Sequence, residues 1–239
     1  MTQSLCKLYE GKAKVVFRLP DPELVLMQFK DDATAFDGKK KGTIAGKGRV
    51  NNLMSAELFR LLEANGVRTH FVRLEGETGM VVRSLDMVKL EVVVRNIAAG
   101  SLSRRLGIPE GTELPRAVVE FYYKDDSLGD PLVTESHIEA LDLAPADVVA
   151  EMRDTALRVN EVLKAFLRDR GLILVDFKLE FGTAGGQLVL GDEISPDTCR
   201  LWDVETRDKL DKDRFRRDMG GVDEAYSEVL ARITGGGRR

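Results

Sequence analysis

Charged residues alternate with apolar ones in one segment near the C-terminal third of the chain. Asp176, Lys178 and Glu180 occupy every second position, so strand alternation predicts that the three charges share one face. Residues 184–186 (Ala-Gly-Gly) indicate a turn, and Glu180 and Asp192 stand on its two sides. Pairing across this turn would bring both carboxylates near Lys178. Two carboxylates beside a lysine suit Mg²⁺ that holds a polyphosphate, since Mg²⁺ takes few protein carboxylates.

The elements that carry these charges are predicted to be two strands of a hairpin. Residues 172–175 form an apolar run rich in β-forming types, and residues 188–190 form a returning strand. Charge alternation is equally typical of a hairpin face exposed to solvent. From this segment alone, a metal-binding face and a solvated face both stay open.

Two lysines near the N-terminus are candidates for binding phosphates. Residues 8–17 predict one strand and residues 24–29 a second, in a hairpin that carries Lys12 and Lys14 on one face. Gly11 would allow close approach of the backbone to a ligand. The Gly-x-x-x-x-Gly-Lys-[Ser/Thr] motif of a P-loop is absent from the sequence. A solvated lysine pair on an edge strand is the alternative.

An arginine at the end of a predicted strand marks a further candidate site. Residues 86–96 alternate apolar and polar types and end near Arg95, and Gly100 and Ser101 then lead into a short helix. An arginine beside small residues and a helix start suits a phosphate. A salt bridge to an acid such as Glu91 is the structural alternative.

The remaining segments are predicted to be scaffold, with one exception. Residues 30–48 are rich in Gly and Lys and read as a long loop, either a mobile lid over an anionic substrate or a floppy surface segment. Helical periodicity predicts one helix that opens at residues 48–52 and is ended by Asn65 and Gly66, and two more over residues 145–170 and about 222–233. We expect all three to pack against the sheets.

The composition excludes several classes of function. The chain has 239 residues, 43% hydrophobic and 32% charged, with a net charge of −4 and a pI near 5.5, which argues against a nucleic-acid-binding surface. We find no membrane-spanning run or signal peptide and expect a cytoplasmic protein. Two cysteines and two histidines lack zinc-site spacing, so reduced thiols are expected.

Four strings, taken together, resemble one enzyme family, the phosphoribosylaminoimidazole-succinocarboxamide synthase (SAICAR synthetase) family. The resemblance covers about residues 8–226 in the order of the family. It is carried by LYEGKAK at 8–14, EVVVRN at 91–96, LVDFKLEFG at 174–182, and GDEISPD at 191–197 with RLWD at 200–203.

The resemblance implies an α+β fold with two lobes. The first, residues 1–86, would be a small antiparallel-sheet lobe resembling a kinase N-lobe that binds nucleotide. The second, residues 87–239, would be a larger ATP-grasp-like lobe with the metal and substrate site. The family joins carboxyaminoimidazole ribotide (CAIR) to L-aspartate with ATP and Mg²⁺, and the resemblance also implies a homodimer.

Site residues follow from the resemblance by position. The implied metal ligands are Glu180 and Asp192, and Lys178, Arg95 and Arg200 are implied to take part in catalysis. Nucleotide contacts are implied for Gly11, Lys12, Ala13, Lys14, Met87, Lys178, Glu180 and Asp192. Substrate contacts are implied for Arg95, Ser101, Lys178, Asp197, Arg200 and Asp37. Which residue of the loop 37–48 holds aspartate stays open.

The chemistry of such a reaction agrees with the residue types. A carboxylate must be activated, and transfer of a phosphoryl group would give an acyl phosphate that the aspartate amine attacks. This needs positioning and charge neutralisation more than a protein nucleophile. A small-molecule kinase on a related fold is one alternative. A non-catalytic nucleotide-binding module is another, against which the acidic pair argues.

One expectation from the sequence concerns the two arginines. We expect Arg95→Lys and Arg200→Lys to weaken use of the ribotide because lysine lacks the two-pronged guanidinium. We also expect both substitutions to leave ATP binding and folding nearly intact. If the arginines only pair with acids such as Glu91 or Asp203, melting would fall instead.

Overall fold

The computed structural model describes residues 6–35 and 38–235 and shows an α+β fold built on antiparallel sheets. The strands are β1 Lys7–Glu10, β2 Lys14–Arg18, β3 Leu24–Phe29, β4 Asp32–Ala35, β5 Lys40–Thr43, β6 Phe71–Leu74, β7 Gly79–Arg83, β8 Asp86–Ile97, β9 Glu113–Tyr123, β10 Leu132–Val133, β11 Leu172–Ala184, β12 Gln187–Gly191 and β13 Cys199–Asp203. The helices are α1 Lys47–Ala64, α2 Gly100–Leu106, α3 Glu135–Ala140, α4 Ala146–Arg168, α5 Asp213–Arg216 and α6 Val222–Ile233.

The described strands form two main sheets and a small hairpin. The first sheet has the order β1-β2-β3-β7-β6, and the second has the order β10-β9-β8-β11-β12 with β13 also paired to β11. The chain passes from the first sheet to the second between β7 and β8. The boundary predicted between residues 86 and 87 falls at the start of β8, and it stays a prediction because one apolar core runs through both parts.

Strand β11 lies at the centre of the second sheet. It pairs with β8 along one edge, and with β13 and then β12 along the other. Phe177, Leu179 and Phe181 are at most 1% exposed and belong to the main core, against which α4 packs. The alternating charged side chains therefore point away from α4, as the spacing predicts.

The single strand predicted over residues 8–17 is wrong. The chain folds back on itself there, so that β1 and β2 pair antiparallel. The Gly11 N–H donates to the Lys14 carbonyl at 2.9 Å and closes the turn between the two strands. As a result Lys12 lies in the turn and Lys14 in the strand, so they do not share a strand face. The predicted pairing of the next two strands, β2 with β3, is confirmed.

The long loop expected over residues 30–48 contains regular structure. Strands β4 and β5 pair antiparallel, and α1 spans Lys47–Ala64, which confirms the helix predicted to open at residues 48–52 and to end at Asn65 and Gly66. The Asp31 carboxylate accepts hydrogen bonds from the Gly46 and Gly48 N–H groups at 3.0 and 2.8 Å, which anchors the helix start. Asp37, an expected substrate contact, lies outside the described residues. Closure of this segment over substrates stays a prediction.

The helices cover the sheets on the sides away from the charged residues. Helix α1 packs on β3, β6 and β7 and against α6, while α4 packs on β11, β8 and β9. The predicted helices over 145–170 and 222–233 are thus confirmed as α4 and α6, within a residue or two at their ends. No helix in the described part of the chain is long and apolar enough to span a membrane.

Candidate active site

A cavity of about 600 Å³ lies between the first sheet and the ends of β11 and β12. One end of the cavity is apolar and the other is charged, which matches a ligand with a flat base at one end and phosphates at the other. The apolar lining comprises Leu8, Val16, Val25, Met27, Val82, Leu85 and Met87. The charged lining comprises Lys12, Lys14, Arg83, Lys124, Lys178, Glu180, Asp192, Glu193, Asp197 and Lys212.

Lys14 and Asp192 form the first ion pair of the charged end. The Lys14 Nζ lies 2.5 Å from Asp192 Oδ1 and 3.0 Å from Glu193 Oε1, and all three side chains are at most 20% exposed. Asp192 has a φ of 58°, in the left-handed region that Asp tolerates better than most residues. Asp192 is the first residue after β12. The backbone conformation therefore helps to place the Asp192 carboxylate against Lys14.

Lys178 and Glu180 form the second group of charges. Lys178 Nζ contacts both Glu180 and Glu91, the latter at 2.7 Å, and Glu180 also pairs with Lys124. Glu180 lies opposite Gly191 in the β11–β12 register, which brings Asp192 close to it. The hairpin thus assembles the two carboxylates and the lysine that the sequence spacing indicates.

The two carboxylates affect each other electrostatically. Burial and the charge of Asp192 raise the pKa of Glu180, but Lys178 and Lys124 outweigh them and lower the pKa below its usual value. Burial likewise would raise the pKa of Asp192, and the attraction of Lys14 and Lys178 holds it well below its usual range. Both carboxylates are therefore ionised near neutral pH.

Every residue assigned by resemblance to the nucleotide or the metal lines this cavity. They are Gly11, Lys12, Ala13, Lys14, Met87, Lys178, Glu180 and Asp192. Lys12 is the most solvated of the lysines named, because it lies in the β1–β2 turn and reaches Asp126 at 2.9 Å. The placement agrees with the assignment, and the roles stay predictions.

Arg95 and Arg200 form a second cluster, outside the lining of the cavity. Both guanidinium groups donate through Nη1 to Asp176 Oδ2, at 2.9 Å from Arg95 and 2.7 Å from Arg200. Arg200 Nε also donates to Asp213 at 3.0 Å. A Cβ at Gly100 would collide with the Arg200 guanidinium, so the glycine is needed for this approach. The acids expected as alternative partners, Glu91 and Asp203, are not the ones used.

The Arg95 side chain is almost completely enclosed. It is 3% exposed, and its remaining nitrogens donate to Glu120 at 2.7 Å and to Ser101 and Tyr122 at 3.0 Å each. Ser101 is therefore brought next to Arg95, as expected for a shared site. The expectation that Arg95 could be replaced by lysine without loss of stability is in conflict with this enclosure.

Asp197 connects the cavity to α1 and α6. Its carboxylate accepts hydrogen bonds from Lys47 Nζ at 2.9 Å and from the Tyr226 hydroxyl at 2.7 Å, and Lys212 Nζ lies 3.5 Å away. Lys47 is fully buried. These contacts make Asp197 an organising residue of the cavity floor as well as a predicted substrate contact.

Three lysines of the site, Lys47, Lys124 and Lys212, were not assigned to it from the sequence. Lys124 comes from the end of β9, and Lys47 comes from a segment predicted to be a loop. Lys212 belongs to the basic cluster 212–217, which is visible in the sequence. That cluster suggests an anionic ligand, but only the fold shows that Lys212 lines the cavity.

Asp213 gives the arginine cluster a pH dependence. Burial alone would raise the pKa of Asp213, but Arg200 and Arg216 outweigh it and lower the pKa to about 2. A folded-state pKa below the unfolded value stabilises the fold above pH 4, and this contribution disappears as the pH falls toward 2. Asp213→Asn should therefore cost about 2 kcal/mol at pH 7 and progressively less below pH 4.

Urea unfolding at pH 7, 5, 4 and 3 measures this difference. Asp154→Asn serves as the control, because the Asp154 side chain is 76% exposed. A constant gap between wild type and Asp213→Asn across these pH values would contradict the assigned pKa.

The fold and the cavity together define a class of protein. A small antiparallel sheet closing over an α+β lobe, with lysines and paired carboxylates between them, is the arrangement of an ATP-grasp-like nucleotide-dependent enzyme. The family model described as SAICAR synthetase matches residues 7–233. The chain belongs to the SAICAR synthetase family.

Individual relatives match over nearly their whole length. The phosphoribosylaminoimidazole-succinocarboxamide synthase of Pelodictyon phaeoclathratiforme is 59% identical over 227 residues, covering 95% of this chain and 96% of that protein. The enzyme of the same name from Coprothermobacter proteolyticus is 57% identical over 232 residues, covering 97% and 98%.

Solved structures show the same fold. A SAICAR synthetase (Type-2) in complex with ADP has a TM-score of 0.93 and 51% identity, covering 97% of this chain and 99% of that chain. A SAICAR synthetase (Type-1) from Pyrococcus horikoshii OT3 has a TM-score of 0.90 and 50% identity, covering 95% and 100%. The α+β, ATP-grasp-like fold expected from the sequence is confirmed.

Proposed function

We propose that this protein joins CAIR to L-aspartate at the expense of ATP and forms SAICAR, ADP and phosphate, a step of purine biosynthesis. The observation that carries the proposal is the cavity with an apolar end and a charged end, in which Glu180 and Asp192 converge beside Lys14 and Lys178. Binding of ADP by a relative with 51% identity supports nucleotide binding here.

Glu180 and Asp192 fit a bound Mg²⁺. Their carboxylates are hard oxygen donors, and they lie close enough that the charge of Asp192 raises the pKa of Glu180. No group of three or more His, Cys, Asp or Glu side chains in the described residues suits a metal. Such an ion would therefore depend on phosphate and water for its other ligands, and when bound it would neutralise phosphate charge.

The reaction requires activation of the CAIR carboxylate. Its oxygen attacks the γ-phosphorus of ATP, the bond to the bridging oxygen breaks, and ADP leaves. The resulting acyl phosphate is attacked at carbon by the aspartate amine, which loses a proton as phosphate departs. Lys14 and Lys178 lie where they can offset negative charge on the transferred group.

Arg95, Ser101 and Arg200 are suited to the ribotide phosphate. Asp176 holds the two guanidinium groups beside each other, and the planar fork of a guanidinium suits a phosphate. Asp176 and Lys178 are two positions apart on one face of β11, a separation of roughly 7 Å. One ribotide could therefore span both clusters, with its phosphate at the arginines and its carboxylate near Lys178.

Three further properties belong to the same proposal. The resemblance supports a homodimer, a cytoplasmic location, and a division into a nucleotide-binding lobe over residues 1–86 and a substrate lobe over residues 87–239. Small molecules are the proposed partners, without nucleic acid or membrane.

Release of ADP tests the function directly. ADP is measured with CAIR alone, with L-aspartate alone, and with both, and other amino acids replace aspartate in parallel. We expect sustained ADP release only with CAIR and aspartate together. Stoichiometric phosphorylation of an acceptor without aspartate would instead indicate a kinase, and binding of ADP without any turnover would indicate a non-catalytic module.

A further inference from the structure

Asp211 is a fully buried acid close to the arginine cluster. It lies between β13 and α5 and is 0% exposed. Its Oδ2 accepts a hydrogen bond from the Leu201 N–H at 2.9 Å, and its Oδ1 accepts one from the Asp213 N–H at 2.7 Å. The two carboxylate oxygens therefore join the backbone of β13 to the first residue of α5.

The first of these hydrogen bonds fixes the peptide group that follows Arg200. The Leu201 carbonyl accepts from the Leu210 N–H at 2.8 Å, so the segment before α5 runs alongside β13. The Asp211 carboxylate continues this pairing by taking the place of a backbone acceptor for the Leu201 N–H. Because Arg200 and Leu201 share one peptide group, Asp211 restricts the direction in which the Arg200 side chain leaves the strand.

The second hydrogen bond fixes Asp213, the acid that pairs with Arg200. The Asp213 carboxylate accepts from Arg200 Nε at 3.0 Å and from Arg216 Nη1 at 2.6 Å, and Arg217 Nη2 lies 3.5 Å away. Three arginines share this carboxylate, so Arg200 alone does not determine where it points. Asp211 holds the Asp213 N–H and thereby fixes the helix start from which the carboxylate reaches Arg200.

These contacts close a ring that begins and ends at Arg200. We propose that Asp211 positions the Arg200 guanidinium for the ribotide phosphate, by tying the backbone of Arg200 and of its partner Asp213 to one carboxylate. This rests on the proposed function, because it takes Arg200 to bind that phosphate. Asp211 acts through Arg200 and does not touch the substrate, since both of its oxygens are used inside the protein.

Asp203, on the same strand, is a matched structural acid. It is 6% exposed, and its carboxylate accepts from the Glu205 and Thr206 N–H groups at 2.9 Å each and from Arg232 at 2.7 Å. It thus resembles Asp211 in burial and in binding two backbone N–H groups. Its side-chain partner is Arg232 and not a residue of the arginine cluster, which makes Asp203→Asn the control for Asp211→Asn.

The two acids differ in what their charge does for folding. Burial and the charge of Asp213 raise the pKa of Asp211 to about 7, whereas hydrogen bonds from the Thr206 backbone and Arg232 lower the pKa of Asp203 to about 2. A raised acid pKa means that stability is lost as the pH rises from about 4 to about 7, because the unfolded chain ionises first. At neutral pH the charge therefore opposes folding at Asp211 and favours it at Asp203. Asp211→Asn should fold, and Asp203→Asn should lower the melting temperature more.

Steady-state kinetics of the two variants at saturating ATP test the proposal. Asparagine keeps the shape of aspartate, but its Nδ2 is a donor and cannot accept from the second N–H group that Asp211 binds. We expect the Michaelis constant for CAIR to rise about tenfold in Asp211→Asn, while that for aspartate and the affinity for ADP stay within about twofold. In Asp203→Asn the Michaelis constant for CAIR should stay within about twofold in spite of the larger loss of stability. Equal CAIR constants in Asp211→Asn and the wild type would overturn the proposal.

The decisive quantity is the coupling between Asp211 and Arg200. In an Arg200→Lys background, Asp211→Asn should raise the Michaelis constant for CAIR by less than about twofold more, because the guanidinium that it positions is absent. The same factor in both backgrounds would show that Asp211 acts independently of Arg200, which contradicts a positioning role.

A second variant keeps the proposal open to test if Asp211→Asn does not fold. Asp211→Ser removes the charge, and its hydroxyl can accept from only one of the two N–H groups, so the Michaelis constant for CAIR should again rise about tenfold. An unchanged value in that variant would overturn the inference alone. Absence of ADP release by the wild type with CAIR and aspartate would overturn the proposed function, and this inference with it.

Discussion

Glu180→Gln and Asp192→Asn should each lower turnover about 10²- to 10³-fold and leave the protein folded. Each substitution keeps the shape of the side chain and removes one charge from the pair that is proposed to hold Mg²⁺. Folding survives because each lysine keeps a second acid. Lys14 retains Glu193 at 3.0 Å when Asp192 is replaced, and Lys178 retains Glu91 at 2.7 Å when Glu180 is replaced.

The measurement is the dependence of turnover on Mg²⁺ concentration, with melting temperature as the check on folding. Both variants should require several times more Mg²⁺ for half-maximal activity. Asp126→Asn is the matched control, because Asp126 pairs with Lys12 but does not line the cavity, and its side chain is 77% exposed. An unchanged Mg²⁺ dependence in both Glu180→Gln and Asp192→Asn would rule out the metal assignment.

The charged hairpin was predictable because its information is local. Alternation over Asp176, Lys178 and Glu180 determines which face each side chain takes, and the glycine-rich turn determines which residues pair. The same local pattern correctly separated the faces of β8, where Leu90, Val92 and Val94 are buried. Alternation gives no information about what lies opposite the charged face.

Site residues that are far apart in the sequence could not be paired in advance, because alternation carries only local information. Lys14 and Asp192 are 178 positions apart, and Lys47 and Asp197 are 150 positions apart. No periodicity or spacing links such pairs, and only the fold brings them together. In it, Asn51 and Ser55 of α1 hydrogen-bond to Glu193 and Ile194, just after β12.

The error at residues 8–17 has a different physical origin. The apolar and β-branched residues on both sides of Gly11 favour strand, and the glycine was interpreted as a point of close approach to a ligand. It also permits the turn that lets β1 pair with β2. This turn places Lys12 and Lys14 at different depths, with side chains 55% and 13% exposed.

Arg95→Met should destabilise the protein by about 3 kcal/mol, and Arg95→Lys by about half as much. This revises the expectation that lysine at this position leaves folding intact. The guanidinium makes hydrogen bonds to four different side chains in a nearly closed environment, and a lysine ammonium cannot reproduce that planar set. Loss of the charge leaves the buried carboxylates of Asp176 and Glu120 with one arginine each.

Urea unfolding of both variants, together with the Michaelis constant for CAIR and the affinity for ADP, separates stability from function. Arg105→Lys is the matched control, because Arg105 also pairs with Glu120 but its side chain is 34% exposed, so its loss should cost at most about 1 kcal/mol. ADP affinity should stay within about twofold in Arg95→Lys, since Arg95 does not line the nucleotide cavity. The Michaelis constant for CAIR should rise at least about tenfold, because lysine cannot keep the hydrogen bonds by which Arg95 holds Asp176 and Ser101 in place beside Arg200. If Arg95→Lys costs no more stability than Arg105→Lys and CAIR kinetics are unchanged, the arginine cluster has neither the structural nor the substrate role assigned to it.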